Sequence, residues 1–297
     1  MGTHPNVPAT LTSDTSTTLA QHLTSNPKLV GDKVNEKFEV KDGNLPFLFK
    51  VLSIGTALSI QAHPDKKLAE RLFKDHGDIY KGKYRSLGGE VPRAVHAAFT
   101  TAPCVSSADE PDPNHKPEMA IALTPFLAFL NFLPSQSILL HLLTVPEING
   151  LVPEDLINQL AKLLHLPTTT PADEFLFQPT KAAPTSEVKE VLKKIFGAIM
   201  STKDETYKKA VGDLVKRYES KDQEGVTVVD SEKGLVDLAL MLNEQYPGDI
   251  GVLCVFLLNV VELKEGEAAF LGANMPHAYI KGGESMAIPS HGALYPL

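Results

Sequence analysis

The sequence predicts an all-β domain interrupted by a helical one. Three observations carry this reading. Strand-like apolar runs fill Phe47–Gln61 and Met119–Leu133, apolar residues recur at helical spacing from about Val152 to Tyr246, and strand texture returns near Gly251. Insertion of a helical domain into a β domain produces that order. A length of 297 residues suits about two domains. The expected division is 1–130 for the first part of the β core, 131–247 for the helical insertion and 248–297 for the second part of the core.

Taken in order, residues 1–45 are rich in Thr, Pro, Asn and Ser, with one short helical phrase near Thr18–Leu23. Phe47–Gln61 reads as two strands joined by a turn at Gly55. Asp65–Asp75 places Leu68, Leu72 and Phe73 on one helical face, with Asp65 as a cap. Residues 81–110 hold no sustained period. In the helical block, Leu156, Ile157, Leu160, Leu163 and Leu164 form one stripe. A second joins Val188, Val191, Leu192, Ile195, Phe196 and Ile199, and a third Tyr207, Ala210, Val211, Leu214, Val215 and Tyr218. Thr202 followed by Glu205 predicts a capping box for the third helix, and Leu235–Leu242 is a fourth stripe. Pro167–Pro184 is a Pro/Thr-rich connector. From Val252 the run VLCVFLLNVVEL reads as strand, followed by a turn at Gly266.

Composition excludes several classes. Lys and Arg number 28 against 36 Asp and Glu, a net charge of −8. A nucleic-acid binder needs a basic face and a membrane-surface protein a polybasic patch, so neither partner is expected. Cys104 and Cys254 are the two cysteines, too few for a disulfide framework or a CxxC zinc ribbon. The N-terminus lacks a secretory signal, and Asn6 breaks a myristoylation motif. The apolar runs are interrupted or too short to span a bilayer. A soluble cytoplasmic protein is the expectation.

Polar residues cluster beside the apolar strands in four phrases: Gln61-Ala62-His63-Pro64-Asp65, Asn114 to Met119, Pro276-His277-Ala278-Tyr279 and, more weakly, Lys281 to Glu284. Residues two apart on a strand share a face, so Gln61 and His63 can aim at one atom. Two imidazoles, a carboxylate and an amide oxygen drawn from the first three phrases make a mixed nitrogen and oxygen set suited to zinc. Read singly, each phrase is bland: a solvated His beside Pro, a Lys-Pro-Glu turn, one polar face of an edge strand. HExxH, GxxxxGK[ST], GxGxxG and GxSxG are all absent from the sequence.

The phrases taken together resemble type I mannose-6-phosphate isomerase. The likeness runs through LPFLFKVLSIGTALSIQAHPDKKLAERL (45–72), PNHKPEMAIALTPF (113–126) and EGEAAFLGANMPHAYIKG (265–282), with TVPEINGLVPED (144–155) in the helical block. It implies a zinc-dependent enzyme with a cupin-type, jelly-roll β core carrying an inserted helical domain. The family's zinc ligands fall on Gln61, His63, Glu118 and His277. Ser59 and Lys116 fall at substrate-pocket positions, and Lys116 and Tyr279 are catalytic candidates. The implied reaction interconverts mannose 6-phosphate and fructose 6-phosphate through an enediol(ate), feeding GDP-mannose metabolism. For Lys116 a phosphate or surface contact is the plainer role; for Tyr279 it is packing by its ring.

Three departures from the family pattern stand out. Met1-Gly2-Thr3-His4-Pro5 matches an internal family phrase, so the opening strands with their Trp-Gly signature are expected to be missing; the sequence holds no Trp. Residues 81–110 interrupt a stretch that is short in the family, and read as a translated intron or a lineage-specific loop. After Gly282 the family's Arg-Ala-Gly-Leu-Thr-Pro-Lys motif does not follow, and no Arg lies beyond Arg217. Loss of that Arg and Lys predicts weak turnover or none, since each charge-assisted bond to phosphate contributes about 1.5–3 kcal/mol. The competing readings are a non-catalytic zinc-binding cupin remnant, a regulatory partner of an intact isomerase, or a gene-model artefact that does not fold.

Overall fold

The computed structural model describes residues 2–3, 8–38, 40, 42–63, 65, 67, 118–166, 183–221, 223 and 226–289. Most of the expected helix at 65–75, the segment 81–110, Lys116 and nearly all of the connector at 167–184 lie outside the described residues.

The chain opens with α1 (Leu19–Ser25) and α2 (Asp32–Phe38), joined by a 3-10 turn at Pro27–Val30. Thr18 caps α1. Its side chain accepts from the Gln21 backbone N–H, and the Gln21 side chain accepts in return from the Thr18 N–H at 2.9 Å. The short helical phrase read near Thr18 is therefore present.

Six strands follow among the described residues: β1 (Phe47–Ile54), β2 (Glu118–Ala122), β3 (Phe126–Phe132), β4 (Leu258–Leu263), β5 (Ala268–Leu271) and β6 (His277–Pro289). All pairings are antiparallel, in the order β4-β3-β6-β2-β5, with β1 also paired to β6. The long strand β6 organises the sheet. Residues 277–281 pair with β3, while residues 282–289 pair with β1 and, in part, with β2. The change of neighbours falls at Gly282, whose φ of 121° is open to glycine and closed to other residues. A Cβ there would stand 2.6 Å from the Pro125 carbonyl oxygen and 2.9 Å from Phe126 Cα.

The helical block lies between β3 and β4 in sequence. It comprises α3 (Ser135–Thr144), α4 (Pro146–Asn149), α5 (Glu154–Leu163), α6 (Ser186–Met200), α7 (Asp204–Glu219) and α8 (Val236–Gln245). The stripes read from sequence supply the buried faces: Ile157 and Leu160 on α5, joined by Ala161, the six residues from Val188 to Ile199 on α6, and Ala210, Val211, Leu214 and Tyr218 on α7, while Leu156, Leu163, Leu164, Tyr207 and Val215 are half-buried against the same cluster. Burial of each large apolar side chain contributes about 1.5–3 kcal/mol, which is why helical spacing is so strongly imprinted here. A charged network reinforces the block. Arg217 forks onto both Glu147 oxygens at 2.8 Å and reaches Glu232 Oε2 at 2.7 Å. Tyr218 donates to that same Glu232 oxygen at 2.8 Å.

Alternation along β6 divides its side chains between two environments. Ala278 and Ile280 join the apolar cluster of the helical block, together with Phe129 of β3. Tyr279 faces the opposite side, within a smaller cluster of Ile54, Ala120, Ala122, Phe126, Ala128 and Leu271. One strand thus anchors the helices with one face and builds the site with the other.

Three local expectations are corrected. The run Phe47–Gln61 holds one regular strand, β1. Beyond the bend at Gly55 and Thr56 the backbone bonds to β6 at separated points, through Leu58 N–H to the Tyr279 carbonyl and through the Gln61–His277 pair. VLCVFLL is not strand at its start: Ile250–Phe256 is a 3-10 helix with all seven residues buried. A segment without a polar face shows no period, so burial on every side hid its conformation. Thr202 does not cap α7. Its hydroxyl donates back to the Ala198 carbonyl at 3.0 Å, and Lys203 takes the cap position without a side-chain bond.

Candidate metal centre

Glu118 begins β2, and its side chain points to the buried side with Ala120 and Ala122. His277 begins β6, one strand away, and Tyr279 follows two residues later on the same face. His63 ends the irregular segment that leads away from β1. That segment is tied to β6 by two backbone bonds between Gln61 and His277, each 2.8 Å. The ladder therefore brings residues from three distant stretches to one place.

The side chains of His63, Glu118 and His277 offer ligand atoms that all lie within 4.8 Å of one another, and all three residues are buried. His63 Nε2 stands 3.0 Å from Glu118 Oε1. His277 Nε2 stands 3.6 Å from Oε2 of the same carboxylate. The Tyr279 hydroxyl donates to Oε2 at 2.9 Å. The two imidazole centroids are 5.4 Å apart.

Protonation follows from these contacts. Burial pushes the Glu118 carboxyl up, but the hydrogen bond with His63, the nearby imidazoles and the Tyr279 hydroxyl outweigh it and hold Glu118 below its ordinary value of 4.5. Burial lowers the His277 imidazole, and the pull of Glu118 in the other direction does not restore it. His277 is therefore neutral near pH 7. Its Nδ1 lies 3.0 Å from the Met275 carbonyl, which can only accept, so the single proton sits on Nδ1. Nε2 then turns a bare lone pair toward a carboxylate oxygen. Two facing acceptors in a buried site are unfavourable alone, and a cation between them resolves the conflict. The donor set fits a divalent ion of the zinc type: two imidazole nitrogens and a carboxylate oxygen.

Of the residues read from sequence, the structure brings His63, Glu118, His277 and Tyr279 into direct contact. Gln61 reaches the site through its backbone pairing with His277, and its side-chain amide donates to Ser59 Oγ at 3.3 Å. Lys116 falls outside the described residues. Two supports escaped the sequence reading. Met275 supplies the carbonyl that fixes the His277 tautomer. Asn274, in the left-handed conformation with φ of 62°, donates its N–H to the His63 carbonyl at 2.7 Å and its side-chain amide to Asp65 at 3.0 Å. The only sequence signal for it was an Asn after Gly and Ala in a turn.

Comparison with known proteins agrees with this geometry. Residues 1–135 match the model of the phosphomannose isomerase type I catalytic domain, and residues 168–258 match that of its helical insertion domain. Mannose-6-phosphate isomerase of Cryptococcus neoformans var. neoformans is 56% identical over 283 residues, covering 95% of this chain and 57% of that protein. The Rattus norvegicus enzyme is 37% identical, covering 95% of this chain and 55% of its own length. This chain therefore spans a little over half the length of the relatives it matches. A zinc-bound crystal structure of mannose 6-phosphate isomerase superposes with a TM-score of 0.62 at 28% identity, covering 100% of this chain and 62% of that one. A crystal structure of a variant phosphomannose isomerase from Salmonella typhimurium gives 0.62 at 29% identity, covering 97% of this chain and 58% of that one. Motifs, site and helical insertion lead to one conclusion: the chain belongs to the type I phosphomannose isomerase family.

Proposed function

We propose that this chain binds one zinc ion through His63, Glu118 and His277, with Gln61 as a fourth ligand, and interconverts mannose 6-phosphate and fructose 6-phosphate. The observation that carries the reading is the convergence of two buried imidazoles on one buried carboxylate, in a chain whose relatives bear that enzyme's name. We assign the β sheet to a cupin-type core divided as 1–130 and 248–297, with 131–247 inserted between, and the protein to cytoplasmic mannose metabolism.

Zinc, when bound, supplies Lewis-acid stabilisation of the negative charge that develops on the sugar oxygens. The chain's own residues do the rest. Glu118 and the neutral His277 present lone pairs near pH 7 without prior loss of a proton. His63 Nε2, 3.0 Å from Glu118 Oε1, would be the third donor to hold the ion. Tyr279 holds its proton at Oη, 2.9 Å from Glu118 Oε2, and orients that carboxylate. Moving a proton between C1 and C2 needs a base of near-neutral pKa at the sugar. Lys116 and Tyr279 are our candidates, with Ser59 and Lys116 contacting substrate.

A coupled isomerase assay on mannose 6-phosphate, run on metal-stripped protein with and without added zinc, tests the reading. Turnover that depends on zinc and disappears in Glu118→Gln is the expected result. Full zinc occupancy without turnover would overturn the catalytic half and leave a non-catalytic zinc protein. Turnover independent of zinc would overturn the metal half.

A further inference from the structure

The segment from Ala57 to His63 carries Ser59, Gln61 and His63, yet it is not a regular strand. Its backbone is bonded at separated points, among them the His63 carbonyl, which accepts from the Asn274 N–H at 2.7 Å, and Ala57 and Ile60 are buried in the apolar cluster of the helical block. On one side lies β6, which bonds Leu58 and Gln61. On the other side lies the end of α8. The Ala57 N–H donates to Gln245 Oε1 at 2.9 Å, and the Ala57 carbonyl accepts the Tyr246 hydroxyl at 2.6 Å. Both polar groups of one backbone residue are thus held by adjacent side chains nearly 190 positions further along the chain.

Ala57 is buried and its side chain has no polar group. Gln245 and Tyr246 therefore recognise where the backbone lies. Ala57 and Ile60 pack into the apolar cluster of the helical block, and a small cavity lined by Ala57, Ser59, Leu242, Tyr246, Asp249 and Ile280 lies beside them. Ligands outside a regular strand depend on the contacts that orient them, and loss of such supports typically weakens metal binding 10–100-fold.

We propose that Gln245 and Tyr246 are positioning residues of the metal centre, through which the helical block sets where the 57–63 segment presents Gln61 and His63. The inference rests on the zinc reading above. Tyr246→Phe removes one oxygen and keeps the ring. Gln245→Leu removes the acceptor, and Gln245→Glu restores one. Leu214→Ala, in the buried face of α7, is a control that lowers stability away from the segment.

Zinc affinity is measured by chelator competition, ligand geometry from the cobalt-substituted absorption spectrum, and segment order from amide hydrogen exchange at Gln61 in the metal-free protein. The double variant Tyr246→Phe/Gln245→Leu is expected to bind zinc at least about tenfold more weakly, shift the cobalt spectrum and exchange Gln61 faster. Gln245→Glu is expected to stay close to wild type, and Leu214→Ala to lose stability but not affinity. Unchanged affinity and exchange in the double variant, or an equal loss of affinity in Leu214→Ala, would overturn the inference. If the double variant does not fold, Tyr246→Phe alone decides by the same readouts. If wild type takes up no zinc, the metal reading fails, and Gln61 exchange alone decides whether the clamp exists.

Discussion

Tyr279 and Glu118, 161 positions apart in sequence, meet in a buried hydrogen bond of 2.9 Å. The hydroxyl supplies a proton to a carboxylate that also faces two imidazoles. Such a bond to a charged group contributes about 1.5–3 kcal/mol. Tyr279→Phe is therefore expected to destabilise the metal-free protein by that amount in urea unfolding. Packing by the ring alone would leave stability within about 0.5 kcal/mol, because the ring is retained.

Acid sensitivity follows from the two depressed groups at the site. His277 sits below its ordinary 6.5 in the folded chain, so the unfolded chain takes up its proton first as pH falls. Glu118 sits below 4.5, so the stability it contributes is present above that value and fades as pH drops through its folded pKa. Both signs agree: unfolding free energy of the metal-free protein declines from about pH 6.5 downward, with a further decline beginning near 4.5. Urea midpoints across that range should fall for wild type, and His277→Gln should remove the upper part of the decline.

Gly282 holds the point where β6 changes partners. Gly282→Ala places a methyl group against the Pro125 carbonyl in a backbone region costly for alanine. Strain and overlap together are expected to cost at least about 2 kcal/mol. Thermal unfolding measures the cost. An unchanged midpoint would mean that β6 can cross without this conformation.

Arg217 lies between Glu147 and Glu232, both nearly inaccessible to water. Arg217→Met would leave two buried carboxylates without their cation, at a cost of about 3–5 kcal/mol. Chemical denaturation should show that loss. Zinc affinity should be unaffected, since this network belongs to the helical block and touches no ligand.

The site was legible in sequence because its chemistry is concentrated in short phrases. Gln61 and His63 flank one residue, Glu118 opens a strand after Lys-Pro, and His277 and Tyr279 alternate on β6. The helices were legible because one buried face each, as on α6 from Val188 to Ile199, imposes a period. Ile250–Phe256 was misread because burial on all sides erases any period. The irregular path after Ile54 was hidden because its bonds go to Gln245, Tyr246 and His277, far away in sequence. Met275 acts through its carbonyl and Asn274 in part through its N–H, and no side-chain motif records such backbone groups.

Anomalous diffraction at the zinc absorption edge, from crystals of the zinc-loaded chain, tests the central claim most directly. The account predicts a single strong peak within bonding distance of His63, Glu118 and His277, absent in crystals of Glu118→Gln. A peak elsewhere, or none at these three side chains, would contradict it.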